Sequence, residues 1–470
     1  MFRLFISDCI FVNGNFYNGG ILVNYDGKIE EIFKDRAKLD EWLHSNDNFE
    51  INDYTDLVLM PGLIDTHVHI SEPGRSELEG FETGTKAAAA GGFTTIIDMP
   101  LNAIPPTTTV SNLIEKQKAT SGKICVDVGF WGGIIPGNAN DLCSLHEAGV
   151  VGFKCFLHPS GDETFPCVTE DEVELACQQL ADSDALIAFH AEKCNDDCAV
   201  ETNDTNDDDE DVYEYNTYLK TRPASLELNA IEMVIRVAKK YDNIRAHIVH
   251  LSAASAVPLI KDFRNAHGNR LTVETCHHYL VLNAEDIPRY RCDFKCCPPI
   301  RDLENQTELW EAIKAGDINM VVSDHSPNVP EKKLLVEGSP DYGNFVESWG
   351  GIAGVQFGLS LFWTDCGKYG LHIEDMIRLM CEEPAKLCKF DHRKGKLAKG
   401  YDADFCIWDP SAEFTVTEEM IHFKNKANPY MGQRLRGRVH ATIVRGQIAY
   451  KRTTAETFNF VGSLLKKKNA

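Results

Sequence analysis

Apolar positions along this chain fall into two regimes. From residue 1 to about 56 they come in short runs cut by Gly and Asn, as in Phe11-Val12-Asn13-Gly14 and Ile21-Leu22-Val23-Asn24-Tyr25-Asp26-Gly27, which predicts short strands joined by tight turns. From about 57 to 390, strand-like apolar runs alternate with stretches of helical period, the pattern of repeated βα units around a parallel sheet. The runs are Leu57–Ile70, Thr94–Met99, Val126–Trp131, Val150–His158, Leu186–Glu192, Ala246–Ser252, Leu271–Leu280 and Met320–His325. Eight is the number of strands that closes a (β/α)8 barrel. Beyond about 391 the short-strand style returns in Asp404-Phe405-Cys406-Ile407-Trp408-Asp409 and Ala441-Thr442-Ile443-Val444-Arg445-Gly446. The pattern therefore predicts an α/β protein: a TIM (β/α)8 barrel over 57–390, a small β-sandwich built from 1–56 and 391–455, and a tail over 456–470.

One stretch breaks the pattern. Asn195 to Asp211 holds nine Asp or Glu residues and hardly any apolar ones, so it reads as a solvated loop, or as a lid, since it follows the fifth strand on the face where barrel active sites lie. The chain's 470 residues suit a barrel with a companion domain. The net charge of -24 opposes binding to phosphate backbones, so nucleic acid is excluded as a partner. No run approaches the roughly 18 apolar residues of a membrane span. Arg3 and Asp8 interrupt the apolar N-terminus, which spoils a signal peptide. Sixteen cysteines without zinc-ribbon spacing read as reduced thiols, and the expected location is intracellular, most simply cytoplasmic. The final Lys466-Lys467-Lys468-Asn469-Ala470 reads as a solvated basic tail.

Candidate chemistry collects at strand ends. In Pro61-Gly62-Leu63-Ile64-Asp65-Thr66-His67-Val68-His69 the alternation of a strand points His67 and His69 to one face. Alone, such a pair is a weak signal. His190, His250 and Asp324 also end candidate strands, and convergence of this kind is what a metal site needs. Lys154, in Gly152-Phe153-Lys154-Cys155-Phe156, places an ammonium in an apolar strand, where desolvation favours the neutral amine. Either it pairs with a nearby carboxylate, or the amine takes up carbon dioxide to give a carbamate whose two oxygens hold cations.

Together these residues resemble the amidohydrolase superfamily, and within it the cyclic amidase branch of hydantoinases, dihydroorotases and allantoinases. The resemblance covers nearly the whole chain. It implies that His67 and His69 bind one metal, His190 and His250 a second, that Lys154 bridges both as N6-carboxylysine, and that Asp324 both ligates and moves a proton. Ser71 stands where related dihydroorotases carry the Arg that grips a substrate carboxylate. Met99-Pro100-Leu101-Asn102, Glu274-Thr275-Cys276-His277-His278-Tyr279, Lys295-Cys296-Cys297-Pro298-Pro299-Ile300-Arg301 and Ser323-Asp324-His325-Ser326-Pro327 are similar to the allantoinases of the branch. Two departures are His277 in place of Pro and Cys297 in place of Ser.

The resemblance implies hydrolytic opening of allantoin to allantoate in purine breakdown, with water activated by two divalent metal ions. Zinc suits imidazole and carboxylate ligands, and cobalt, manganese or iron would suit them too. Carbon dioxide is needed for the lysine. Asn102 is expected to meet the ureide tail, unless it is a turn residue before Pro105-Pro106, and Cys297 to meet the ring amide. A homo-oligomer, a tetramer in the family's manner, is also implied. The competing expectations are a dihydropyrimidinase or hydantoinase sharing every metal ligand, and a scaffold of the same fold that has lost catalysis.

Overall fold

Asn13 and Gly14 take φ of 49° and 78°, the backbone that a two-residue hairpin turn needs, and they join the strand Phe2–Val12 to Asn15–Val23. The structure, a computed structural model, describes residues 2–194 and 211–467; the acidic stretch anticipated as a loop or lid lies outside the described residues up to 210. Strands from both ends of the chain form one nine-stranded sheet. Val58–Pro61 is its seam, parallel to Phe2–Val12 on one side and antiparallel to Phe405–Thr415 on the other. Leu59, opposite Ile407, packs with Phe5, Ile21, Phe405 and Ile443 in a separate apolar core.

The run expected as one strand, Leu57–Ile70, is thus two strands in two sheets, Val58–Pro61 and Leu63–Val68. The break falls at Gly62, where a Cβ would lie 2.2 Å from Thr94. Both halves are buried throughout, so their apolar residues carry no mark of which sheet each joins.

Between the chain ends every strand pairing is parallel. Leu63–Val68, Phe93–Asp98 and Asp127–Phe130 form a three-stranded sheet. Gly132–Gly133, Phe153–Phe156, Leu186–His190, Arg245–Ile248, Leu271–Cys276 and Met320–Val322 form a six-stranded one. Trp131 alone separates the two sheets along the chain, and a parallel bridge from Val68 to His325 joins their other edges. The ladders themselves remain two sheets, and each expected strand appears within them. Helices connect the strands; Ala224–Lys240, for example, buries Ala230, Ile231, Val234, Val237 and Ala238, a spacing that puts them on one stripe.

Buried charge locks the terminal sheet to the parallel unit. Lys394 Nζ lies 2.8 Å from Asp127 Oδ2 and 2.5 Å from Asp404 Oδ2, while Arg445 pairs with Asp127. Asp127, Asp402 and Asp404 are grouped tightly enough to hold a cation, and the ammonium of Lys394 already fills that role.

The C-terminal segment corrects the expectation of a solvated tail. Leu465 N donates to Val128 O at 2.8 Å, Lys467 N donates to Gly149 O at 3.1 Å, and both side chains are buried. Lys466 alone of the described lysines there is exposed. Backbone pairing and the apolar Val461, Leu464 and Leu465 outweigh the basic composition that suggested solvation. Among the described residues no helix is long and apolar enough to cross a membrane, and the buried cysteines of the core, Cys125, Cys155, Cys177 and Cys276 among them, are free thiols.

Candidate metal centre and its pocket

The carboxyl ends of the parallel strands converge on a cavity of about 320 Å³, into which His67, His69, Lys154, His190, His250 and Asp324 all project. The Leu63–Val68 strand supplies His67, and the chain beyond it, held by a hydrogen bond from His69 N to His325 O, supplies His69. Nε2 of each imidazole lies 3.2 Å from Asp324 Oδ1. Ligand atoms of these three residues fall within 4.8 Å of one another, a grouping fit to hold a divalent cation. His190 Nδ1 and His250 Nε2 face each other at 2.9 Å, and the His250 ring centroid is 5.3 Å from that of His67.

Protonation suits this geometry. Burial pushes His190 to about 4, and burial with the charges of Lys154 and His190 drives His250 well below the usual range. Neutral imidazoles are the form that binds metal. Burial alone would raise Asp324, but His67 and His69 hold its carboxyl far below the ordinary carboxylate range. Asp324 is therefore ionised, and His190 and His250 neutral, in the resting arrangement.

Lys154 differs from the other buried lysines. Lys116 Nζ bonds to Asp98 Oδ2 at 2.6 Å and Met99 O at 2.9 Å, and Lys394 sits among three carboxylates. Lys154 Nζ is buried without any hydrogen-bond partner, 5.0 Å from the Phe156 ring centroid. Burial lowers its pKa to about 8, against the raising pull of Asp324 and Glu274. Of the two expectations for this residue, pairing with a carboxylate is not what the side chain does.

Backbone strain clusters here as well. His250 and Asp324 take φ of 41° and 44°, as do Ser71 and Asn102 at 60° and 63°. Side chains with a Cβ visit this region at a cost of roughly 1–2 kcal/mol each. At His250 and Asp324 the left-handed turn comes just beyond the ends of their strands, and both side chains line the cavity.

Sequence reasoning missed the residues that orient the ligands. Glu274, on the strand Leu271–Cys276, accepts from His67 Nδ1 at 2.5 Å and His247 Nε2 at 3.0 Å, and these contacts overcome burial to hold it at about 2. That bond fixes the Nδ1–H tautomer and frees His67 Nε2 as a ligand. The available signal was an acid within a buried strand, Thr272-Val273-Glu274-Thr275. Glu192 does the same for His190, accepting from Nε2 at 2.7 Å while Arg222 Nη1 donates to Glu192 at 2.6 Å. Glu274→Gln is expected to weaken metal affinity about 10–100-fold with the fold retained, read by metal titration against circular dichroism.

Both expected substrate contacts line the cavity, with partners of their own. Asn102 puts its side-chain amide 3.2 Å from His69 Nδ1, and the Cys297 thiol lies 3.1 Å from Tyr218 Oη. Turned so that Oδ1 accepts from Nδ1–H, the Asn102 amide orients His69 as Glu274 orients His67. Arg222, Lys295 and Ser348 complete the polar wall, with Lys295 Nζ donating to Ser348 O at 2.6 Å and Val346 O at 2.8 Å. His277 lies outside the cavity, and burial pushes it to about 3.

Residues 58–449 match the model of the amidohydrolase family. The chain is 44% identical to the allantoinase of Saccharomyces cerevisiae, over 83% of this chain and 82% of that protein. It is 38% identical to the probable allantoinase 2 of Dictyostelium discoideum, over 98% and 92%. Among solved structures it resembles the L-hydantoinase (dihydropyrimidinase) of Arthrobacter aurescens, with a TM-score of 0.87, 28% identity and coverage of 99% of this chain and 100% of that one.

Proposed function

This chain belongs to the amidohydrolase family, and we propose that it is the hydrolase that opens the ring of allantoin to give allantoate. The observation that carries the reading is the joint presence of a partnerless buried amine at Lys154, the four imidazoles and Asp324 in a chain whose relatives at 38–44% identity are allantoinases. The two parallel sheets are read here as one (β/α)8 barrel, since Trp131 and the Val68–His325 bridge link their edges. The terminal strands of 1–56 and 391–455 are read as a sandwich beside it, with 57–390 as the catalytic unit and a homotetramer as the assembly.

His67, His69 and Asp324 would hold one divalent ion, His190 and His250 the second, and a carboxylated Lys154 would be shared between the two. Such ions lower the pKa of water towards neutrality and polarise the carbonyl under attack. Zinc is the metal favoured by these ligands, with cobalt, manganese and iron as alternatives. The neutral Lys154 amine adds to carbon dioxide and loses a proton, leaving a carbamate with two oxygen donors. Asp324, already ionised, accepts the proton of the attacking water and delivers it to the ring nitrogen as the carbon–nitrogen bond breaks. Asn102 and Cys297 line the same cavity, and on this reading they would meet the ureide tail and the ring amide.

The deciding assay is allantoate formation by metal-reconstituted protein with bicarbonate, set beside hydantoin, dihydrouracil and dihydroorotate. Preferred turnover of allantoin is the expected result. The likeness to L-hydantoinase keeps a second reading alive, and preferred turnover of hydantoin or dihydrouracil would move the substrate to that one. No turnover of any ring would leave only a scaffold.

A further inference from the structure

A second polar cluster lies at the opposite end of the strands from the metal centre. Asp184 precedes Leu186–His190, and Arg245 opens Arg245–Ile248, so one strand length, about 17 Å, separates them from His190 and His250. Lys389 reaches the same place from beyond the helix Glu383–Leu387, His146 from the helix Leu142–Glu147, and Lys467 on the returning C-terminal segment. Asp184 is the carboxylate that Arg245 and Lys389 share. Arg245 Nε lies 3.1 Å from its Oδ1, Lys389 pairs with its Oδ2, and Lys467 Nζ donates only to its backbone oxygen, at 3.1 Å.

Two donors are left over. Arg245 Nη2 and His146 Nδ1 are buried with no hydrogen-bond partner, and His146 is only 8% exposed. Burial, with the charges of Lys467, Lys389 and Arg245, pushes His146 to about 4; burial, Arg245 and Lys389 push Lys467 to about 8. Among the described residues three cations thus face one carboxylate, in a chain whose net charge is -24. Packing alone gives no reason for this, since buried donors left unmade and like charges brought together both destabilise a fold.

We propose that Lys467, Arg245, Lys389 and His146 form a binding site for a small dianionic oxyanion of the phosphate or dicarboxylate class. Its oxygens accept from Arg245 Nη2, from the spare protons of Lys467 Nζ and from His146 Nδ1–H, which answers both orphaned donors and the excess charge together.

The test is the melting temperature of the holoenzyme at pH 7 against inorganic phosphate and, separately, succinate, with ionic strength fixed by chloride. The wild type is expected to show a saturating rise of several degrees with one of them, as a ligand that binds only the folded state must. Saturation by phosphate alone assigns a tetrahedral anion, and saturation by succinate assigns paired carboxylates. Lys467→Met and His146→Phe, both far from the metal centre, are expected to keep only the gradual rise that excluded salts give any protein. Should either variant fail to fold, Arg245→Lys keeps the charge beside Asp184 but loses the fork, and is expected to need several-fold more anion. A saturating rise that survives in all these variants, or none with either anion in the wild type, overturns the proposal.

Discussion

Lys154→Ala is expected to abolish allantoin turnover, lowering kcat/KM by about 10³-fold or more, because a bridging ligand is worth the several kcal/mol of charge stabilisation that a metal pair contributes. The loss comes from chemistry and not from the fold. Nζ makes no hydrogen bond, so its removal leaves no broken partner behind. The variant is therefore expected to stay folded, to bind less than the wild type's complement of metal, and to regain part of its activity with a short carboxylate such as acetate, which supplies two oxygens in the vacated space. Full activity in Lys154→Ala would sink the carbamate.

The wild type carries a further signature of the same chemistry. Burial places the Lys154 amine near 8, against 10.5 for an ordinary lysine. The folded chain therefore binds fewer protons than the unfolded one between these values, so the bare amine costs stability, about 3 kcal/mol at full extent. That cost is complete below pH 8 and is relieved as pH rises from about 8 towards 10.5. Carboxylation removes the ammonium altogether, so protein given bicarbonate and metal is expected to melt higher than protein stripped of both. At fixed dissolved carbon dioxide, recovery of activity should quicken about tenfold per pH unit up to about 8 and then level off, following the neutral amine.

How far the sequence foresaw this site depends on whether a residue acts through its own position in the alternation or through a contact made across the fold. His67, His69, Lys154, His190, His250 and Asp324 sit at or near strand ends, where a chemically costly residue in an apolar run marks itself, and the structure brings all six to one cavity. Glu274 lies on a strand that carries none of the six and Glu192 just beyond the end of the His190 strand, and their roles rest on imidazoles they meet only after folding. Asn102 was read as a substrate contact or a turn residue; its 3.2 Å approach to His69 comes from a left-handed backbone that no side-chain pattern encodes. Strand existence was readable from the apolar runs, while the division at Gly62 was not, because it depends on how closely Thr94 packs from a neighbouring strand. The C-terminal lysines misled for a related reason: composition favours water, and the backbone bonds that draw the segment inward, from Leu465 to Val128 on a strand and from Lys467 to the turn at Gly149, reach residues more than three hundred positions earlier.

Asp324→Asn separates the two tasks assigned to this residue. An amide keeps an oxygen for a metal but cannot carry a proton between water and the leaving nitrogen, and a positioned acid–base group contributes about 10²–10⁴-fold. Turnover is therefore expected to fall by that range in kcat with little change in KM, since the lost interaction belongs to the transition state. His67 and His69 keep the native carboxylate ionised far below the usual range, so the wild type should show no acidic limb from Asp324 above pH 4. Metal analysis of the same protein distinguishes the causes: near-complete occupancy with the kcat loss assigns proton transfer, whereas metal loss in proportion to activity assigns ligation alone. A kcat within tenfold of the wild type at full occupancy would remove Asp324 from the proton path and require another group of the pocket to carry it.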